Sequence, residues 1–84
     1  MAKVLLDPQA QSEYYNLPAV MQARVDEVFS RLEAWPAVSG AKPLRFQWKG
    51  HFRIRTGDWR VIFREVSPNV LVVRIKHRSE VYED

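Results

Sequence analysis

The chain has 84 residues, a formal net charge of +3 and no cysteine, which limits it to one small domain and excludes disulfides and thiolate chemistry. No apolar run approaches the roughly 20 residues that a membrane-spanning helix needs, and the N-terminus lacks the basic and apolar segments of a signal peptide. We therefore predict a protein without membrane contact that functions in the reducing cytoplasm.

The charge is divided unevenly along the chain. Residues 1–40 hold three basic and five acidic side chains, a net charge of −2, whereas residues 41–84 hold ten basic and five acidic side chains, a net charge of +5. This asymmetry predicts different roles for the two halves.

The first half of the sequence predicts a short strand followed by a helical hairpin. Residues 3–6 are suited to a strand, and Asp7 followed by Pro8 is typical of a helix start, because an aspartate caps free N–H groups and proline fits the first turn. Apolar residues then recur at intervals of three and four on both sides of Pro18. We expect two helices within residues 8–35, the second ended by Pro36.

The second half predicts strands. Residues 52–56, 59–66 and 70–77 are strand-like, with turns at residues 56–58 and 67–69, and a further short strand is expected near residues 44–48. The predicted sheet covers residues 44–77 and is followed by a C-terminal tail at 78–84. The element order β-α-α-β-β-β predicts a single α+β domain over residues 1–84, with the helical hairpin packed on a mainly antiparallel, twisted sheet.

Basic and apolar residues alternate along the predicted strands. In a strand, alternate side chains point to opposite faces. One face should therefore be exposed and carry Arg53, Arg55, Arg60, Arg64, Arg74 and Lys76. The core face should carry Phe52, Ile54, Trp59, Val61, Phe63, Leu71, Val73 and Ile75. So many cations on one face repel one another unless a polyanion binds there, and for a small basic protein the usual polyanion is nucleic acid.

Two motifs stand out in the second half of the chain, Phe52-Arg-Ile-Arg-x-Gly-x-Trp-Arg and the closing His77-Arg78-x-x-x-Tyr82. Together with the element order, they resemble the RelE/ParE superfamily of bacterial and archaeal toxins from toxin–antitoxin pairs. The resemblance covers residues 3–82. It implies a small RelE-like fold and a type II toxin whose partner is a cognate antitoxin. It also implies a protein that is monomeric alone and oligomeric through the antitoxin.

The superfamily has two branches with different targets. RelE-like members enter the ribosomal A site and cut mRNA, whereas ParE-like members keep the fold and inhibit DNA gyrase. Tyr82 and a basic last strand favour the first branch, while arginines in place of lysines on the 52–56 strand favour the second. We predict a ribosome-dependent mRNA endonuclease, with gyrase inhibition as the alternative.

RNA cleavage through the 2′-OH needs a general base, positive charge for the phosphorane and an acid for the leaving oxygen. By position in the family motifs, the resemblance implies a catalytic set of Arg53, Arg55, Arg60, Lys76 and Tyr82. An arginine stays charged and is a poor base, so the general base is left unassigned. An ordinary solvated strand face is the alternative interpretation of the three arginines.

A second set of residues is predicted to bind the nucleic acid without taking part in the chemistry. It consists of Arg45, Lys49, Arg74, His77 and Arg78. Alternation places His77 on the apolar side of its strand, so a structural histidine is the alternative there. Two histidines and scattered acids give no metal-ligand spacing, and we predict neither a metal nor another cofactor.

Overall fold

The computed structural model describes residues 1–80, in which two helices pack on one face of a five-stranded sheet. The strands are β1 (Val4–Leu6), β2 (Lys42–Pro43), β3 (His51–Thr56), β4 (Trp59–Val66) and β5 (Asn69–His77), and the helices are α1 (Pro8–Tyr15) and α2 (Ala19–Leu32). The sheet order is β1-β5-β4-β3-β2, with β1 parallel to β5 and the other pairs antiparallel. The predicted α+β fold with a mainly antiparallel sheet is confirmed.

The helical hairpin begins where the sequence predicts but ends earlier. The Asp7 side chain accepts a hydrogen bond from the Ala10 N–H at 2.8 Å, and Pro8 is the first residue of α1. The second helix ends at Leu32 rather than near residue 35. The N–H of Trp35 bonds to the Leu32 carbonyl three residues back, so the chain leaves the helix through tight turns before it reaches the proline.

The Tyr14 hydroxyl links α1 to α2 by donating a hydrogen bond to Asp26 Oδ1 at 2.7 Å. This hydrogen bond raises the pKa of Tyr14 above its ordinary value of 10.0, because it favours the protonated phenol, and burial and the Asp26 charge act in the same direction. The contact therefore depends on the phenol proton of Tyr14, which the unfolded chain releases at a lower pH than the folded protein does.

Replacing Tyr14 with phenylalanine should lower the free energy of unfolding at pH 7 by about 0.5–1 kcal/mol, the value of an exposed hydrogen bond. The folded-state pKa is raised, so this stability is fully present below about pH 10 and is lost as the pH rises through the folded-state value. Urea denaturation of both proteins at neutral and alkaline pH measures the effect. A difference that persisted unchanged far above pH 10 would show that the hydroxyl is not its source.

A β-bulge interrupts the pairing of β4 with β5. Ile62 pairs with Arg74, but the next residue, Phe63, pairs with Val72. Val73 is therefore an extra residue on β5, and the alternation of side chains along this strand changes phase at that point.

The bulge changes which residues of β5 enter the core. Val70 and Val72 are fully buried, whereas Leu71 and Val73 are only partly buried. The prediction that Leu71 and Val73 point into the core is wrong, because the inserted residue puts the side chains before it out of phase with Ile75, which does enter the core.

The start of the sheet also differs from the prediction. The strand expected near residues 44–48 lies instead at Lys42–Pro43, and Phe46–Trp48 form a short 3-10 helix. Proline lacks a donor N–H and is tolerated here because β2 is an edge strand. Leu44 follows it and is buried.

Candidate nucleic-acid interface

The sheet face opposite the helices carries a first row of basic side chains across three strands. Arg55 on β3 pairs with Arg60 on β4, and Arg60 pairs with Lys76 on β5. Directly paired residues of antiparallel strands present their side chains on the same face. The predicted clustering of these three residues is therefore confirmed by the register, and we call them row one.

A second row lies next to it and crosses four strands. Lys42 pairs with Arg53, Arg53 with Ile62, and Ile62 with Arg74. We call these residues row two. The row contains one basic residue that the sequence interpretation did not include, Lys42, because its strand was placed two residues too late.

The two central arginines are not exposed, contrary to the prediction. Arg53 and Arg60 are each only 6% exposed, whereas Arg55 and Arg64 are exposed. The Arg60 guanidinium turns towards the β3–β4 turn, where its Nη1 donates to the carbonyls of Gly57 at 3.3 Å and Trp59 at 3.2 Å. A buried charge requires such acceptors, and they hold the guanidinium in one orientation.

Row one is anchored to α1 by Glu13, a residue that was not predicted to belong to the site. Its Oε1 accepts a hydrogen bond from the Ile75 backbone N–H at 2.7 Å. Its Oε2 lies 3.1 Å from the Lys76 ammonium and 3.6 Å from Arg74 Nη1. β1 pairs only with residues 70–72 of β5, so the Glu13 carboxylate takes the position of a strand partner beyond the end of β1.

The helical spacing could have identified Glu13. It lies three residues after Ala10 and four before Leu17, two residues of the buried face of the hairpin. A carboxylate on an apolar helix face requires a partner of its own. The sequence did not reveal that the partners would be the backbone and two cations of β5.

The Lys76 ammonium is held at the edge of the sheet between two carboxylates. Besides Glu13, Glu80 lies within 3.8 Å of its nitrogen. A shallow cleft of about 160 Å³ opens beside these groups and is lined by Glu13, Asn16, Leu17, Trp59, Ile75, Lys76 and Glu80. Row one therefore ends at a cleft between α1 and β5.

The other predicted nucleic-acid contacts lie at the margins of the sheet. His77 pairs with Trp59 and contacts it edge to face with ring centroids 5.5 Å apart, so it lies outside both rows. Arg78 is exposed, and its Nε lies 3.8 Å from Asp58 Oδ1. Arg45 and Lys49 are exposed in the loop that joins β2 to β3.

Tyr82, the fifth predicted catalytic residue, lies outside the described residues. Within residues 1–80, no group of three His, Cys, Asp or Glu side chains is arranged to hold a metal ion. In the same part of the chain, no helix is long and apolar enough to cross a membrane.

Comparisons with known proteins agree on the family. Residues 4–82 match the sequence model of a family described as the ParE toxin of the type II toxin–antitoxin system parDE. Toxin RelG of Mycobacterium tuberculosis is 33% identical over 76 residues, which cover 87% of this chain and 86% of RelG. The chain therefore belongs to the RelE/ParE superfamily of type II toxins, on its RelE-like branch.

One solved structure agrees with this assignment, and a more distant one shares the fold. A chain of the toxin–antitoxin complex RelBE2 from Mycobacterium tuberculosis has a TM-score of 0.80 and 30% identity, with 93% of this chain and 92% of that chain covered. The isolated RelE toxin of E. coli has a TM-score of 0.76 at 12% identity, with 92% and 84% covered, and shows the same fold.

Proposed function

We propose that this type II toxin is a ribosome-dependent endoribonuclease that cuts mRNA in the ribosomal A site, and that it acts in the cytoplasm. The observation that carries the proposal is the pairing that brings six cations into two adjacent rows on one sheet face. A phosphodiester in the transition state gains negative charge, and fixed cations stabilise that charge more than they stabilise the ground state.

In this mechanism the catalytic residues have different tasks. Arg60 is the oriented guanidinium that contacts the phosphorane, since its buried position and turn contacts fix its direction. Arg55, which is exposed beside it, contacts a non-bridging or leaving oxygen, and Arg53 supports the charge from row two. Lys76 contributes an ammonium at the end of row one, and Arg74 binds the message beside it.

Proton transfer requires a further group. Arginine cannot serve as the base that takes the 2′-OH proton, because it remains charged at all accessible pH values. We assign Tyr82 a role in proton transfer or in hydrogen bonding to the message. His77 and Arg78, close to the start of the tail, and Arg45 and Lys49, at the opposite margin, contact the RNA outside the reacting bond.

Replacing Tyr82 with phenylalanine removes one oxygen and keeps the ring. If the hydroxyl takes part in the reaction, single-turnover cleavage on programmed ribosomes should slow by about tenfold or more, equivalent to at least roughly 1.4 kcal/mol, with little change in ribosome affinity. Tyr82→Ala should be slower still because stacking is also lost. Cleavage by Tyr82→Phe at the wild-type rate, with a lower melting temperature for Tyr82→Ala, would make the residue structural.

Inhibition of DNA gyrase is the second candidate function, favoured by the match to the ParE family model. Parallel assays with the purified toxin separate the two functions. Our proposal predicts that a cell-free translation reaction stops with its message cut, while gyrase supercoiling of plasmid DNA is unaffected. Inhibited supercoiling with translation intact would establish the alternative.

The proposed partner is a cognate antitoxin, through which the monomeric toxin forms a larger complex. RelBE2 is a toxin–antitoxin complex whose toxin fold this chain shares. The basic face and the cleft beside α1 are suited to an acidic or amphipathic segment that becomes ordered on binding.

We expect the cognate antitoxin to protect backbone amides from hydrogen exchange in residues 52–80 or in the helical hairpin. Protection is expected because an ordered partner segment excludes water from the surface that it covers. Exchange of the free toxin and of the complex, followed by mass spectrometry, measures it. Unchanged exchange in both regions at saturating antitoxin would show that the partner binds elsewhere.

A further inference from the structure

The loop between β2 and β3 displays an aromatic side chain from an unfavourable backbone conformation. Phe46 is 83% exposed, and among the described residues it is the one non-glycine residue with a positive φ, at 59°. Bulky L-residues avoid this left-handed region, and an exposed ring gains little from burial in return. A glycine at position 46 would adopt this backbone conformation without strain and would expose no apolar ring.

The fold holds this loop at both ends. Leu44 is buried, and its N–H donates to the His51 carbonyl at 2.9 Å. At the other end, the Trp48 ring packs edge to face on His51 with centroids 5.2 Å apart. The Lys49 N–H closes the turn on the Phe46 carbonyl at 3.0 Å. The conformation of Phe46 is therefore imposed by its surroundings, a situation that is common at functional sites.

The surroundings of the ring are basic. Arg45 and Lys49 flank the turn and are exposed, and Lys42 of row two precedes it. Residues 34–57 contain five Lys or Arg and no Asp or Glu. An exposed ring among cations is poorly suited to an apolar protein surface. It matches a nucleotide instead, because the base can stack on an aromatic face while the phosphates contact the charges.

We propose that Phe46 is a stacking platform for an unpaired base of single-stranded RNA, with Arg45 and Lys49 contacting the neighbouring phosphates. The proposal rests on the proposed function and extends it, because it adds a base contact outside rows one and two. Strand β3 follows this loop and carries Arg53 and Arg55. A base held at Phe46 would therefore set the position of the bound RNA relative to the basic rows.

The test uses the full-length toxin and a short single-stranded RNA that carries 2-aminopurine, whose fluorescence is quenched on stacking. Phe46→Tyr should keep the affinity and the quenching, since the ring is retained. Phe46→Leu and Phe46→Gly should weaken binding by about tenfold or more and lose the quenching. Tyr15→Leu is the matched control, because Tyr15 is a 75% exposed aromatic residue on α1 and its replacement should leave RNA binding unchanged.

Stability provides the second measurement. The melting temperature of Phe46→Gly should equal or exceed that of the wild type. The substitution relieves the strain of the positive φ and uncovers no buried apolar residue. A lower melting temperature would mean that the ring supports the loop, and it would overturn the proposal. Equal binding by Phe46→Leu and Phe46→Tyr would indicate an apolar contact rather than stacking and would also overturn it.

The outcome for Phe46 is separable from the outcome for the proposed function. The platform would be supported and the nuclease contradicted if the wild type quenched the probe, the Phe46→Leu variant did not, and the wild type cut no message on ribosomes. The nuclease would be supported and the platform contradicted if the wild type cut the message normally and the Phe46→Leu variant bound the RNA probe as the wild type does. A wild type that does not quench the probe would overturn the platform directly.

Discussion

Arg60→Ala should slow single-turnover cleavage of mRNA on programmed ribosomes by about two to three orders of magnitude, the effect of losing roughly 2–4 kcal/mol of transition-state stabilisation. The expected loss is large because Arg60 is the central residue of row one and its guanidinium is oriented by two carbonyls of the turn. A preoriented charge stabilises the developing phosphorane without reorganisation during the reaction. Growth inhibition in cells that express the variant should fall accordingly.

Arg64→Ala is the matched control for this substitution. Arg64 lies on the same strand and the same face but is exposed and outside both rows, so its removal should change the rate by at most about fivefold. Thermal unfolding of both variants shows whether the loss of the turn contacts has unfolded Arg60→Ala. Full toxicity of a folded Arg60→Ala protein would remove Arg60 from the catalytic set.

Glu13→Ala should lower the free energy of unfolding by about 2–3 kcal/mol. The substitution leaves the Ile75 N–H without its acceptor and removes the carboxylate shared by Arg74 and Lys76. For a domain of this size the melting temperature should fall by roughly 10 °C. Chemical denaturation followed by tryptophan fluorescence measures the change.

Two further variants separate the components of this effect. Glu13→Gln keeps an oxygen that can accept from Ile75 and loses only the charge, so its stability should lie between those of Glu13→Ala and the wild type. Glu27→Ala removes an exposed acid from α2 and should change stability by less than about 0.5 kcal/mol. If Glu13→Ala were as stable as Glu27→Ala, Glu13 would not be the anchor that we describe.

Local chemistry allowed much of the fold to be predicted. Asp7 and Pro8 specify the start of α1, and the turns at Gly57 and Pro68 fix the ends of β3, β4 and β5, because each depends on residues close together in sequence. The bulge at Val73 was missed because strand alternation gives no indication of an inserted residue. The early end of α2 at Leu32 depends on how the following turn packs, which helical periodicity does not reveal.

The candidate site was only partly predictable for a similar reason. Period two along β3 and β4 was sufficient to place Arg55 and Arg60 on one face. It could not reveal that Arg60 is buried, because burial depends on how the side chain packs against its neighbours in the folded protein. Glu13 joins the site from a helix more than sixty residues away from Ile75 in sequence, so only the tertiary fold brings the two together.

Cleavage of a defined message on purified ribosomes tests the central claim most directly. Ribosomes are stalled with one known codon in the A site, the purified toxin is added, and the new 5′ ends of the message are mapped. We expect cuts within the A-site codon that require the ribosome and disappear when tRNA occupies the site. The nuclease function would be contradicted if folded toxin, at a concentration that inhibits gyrase, left the message intact.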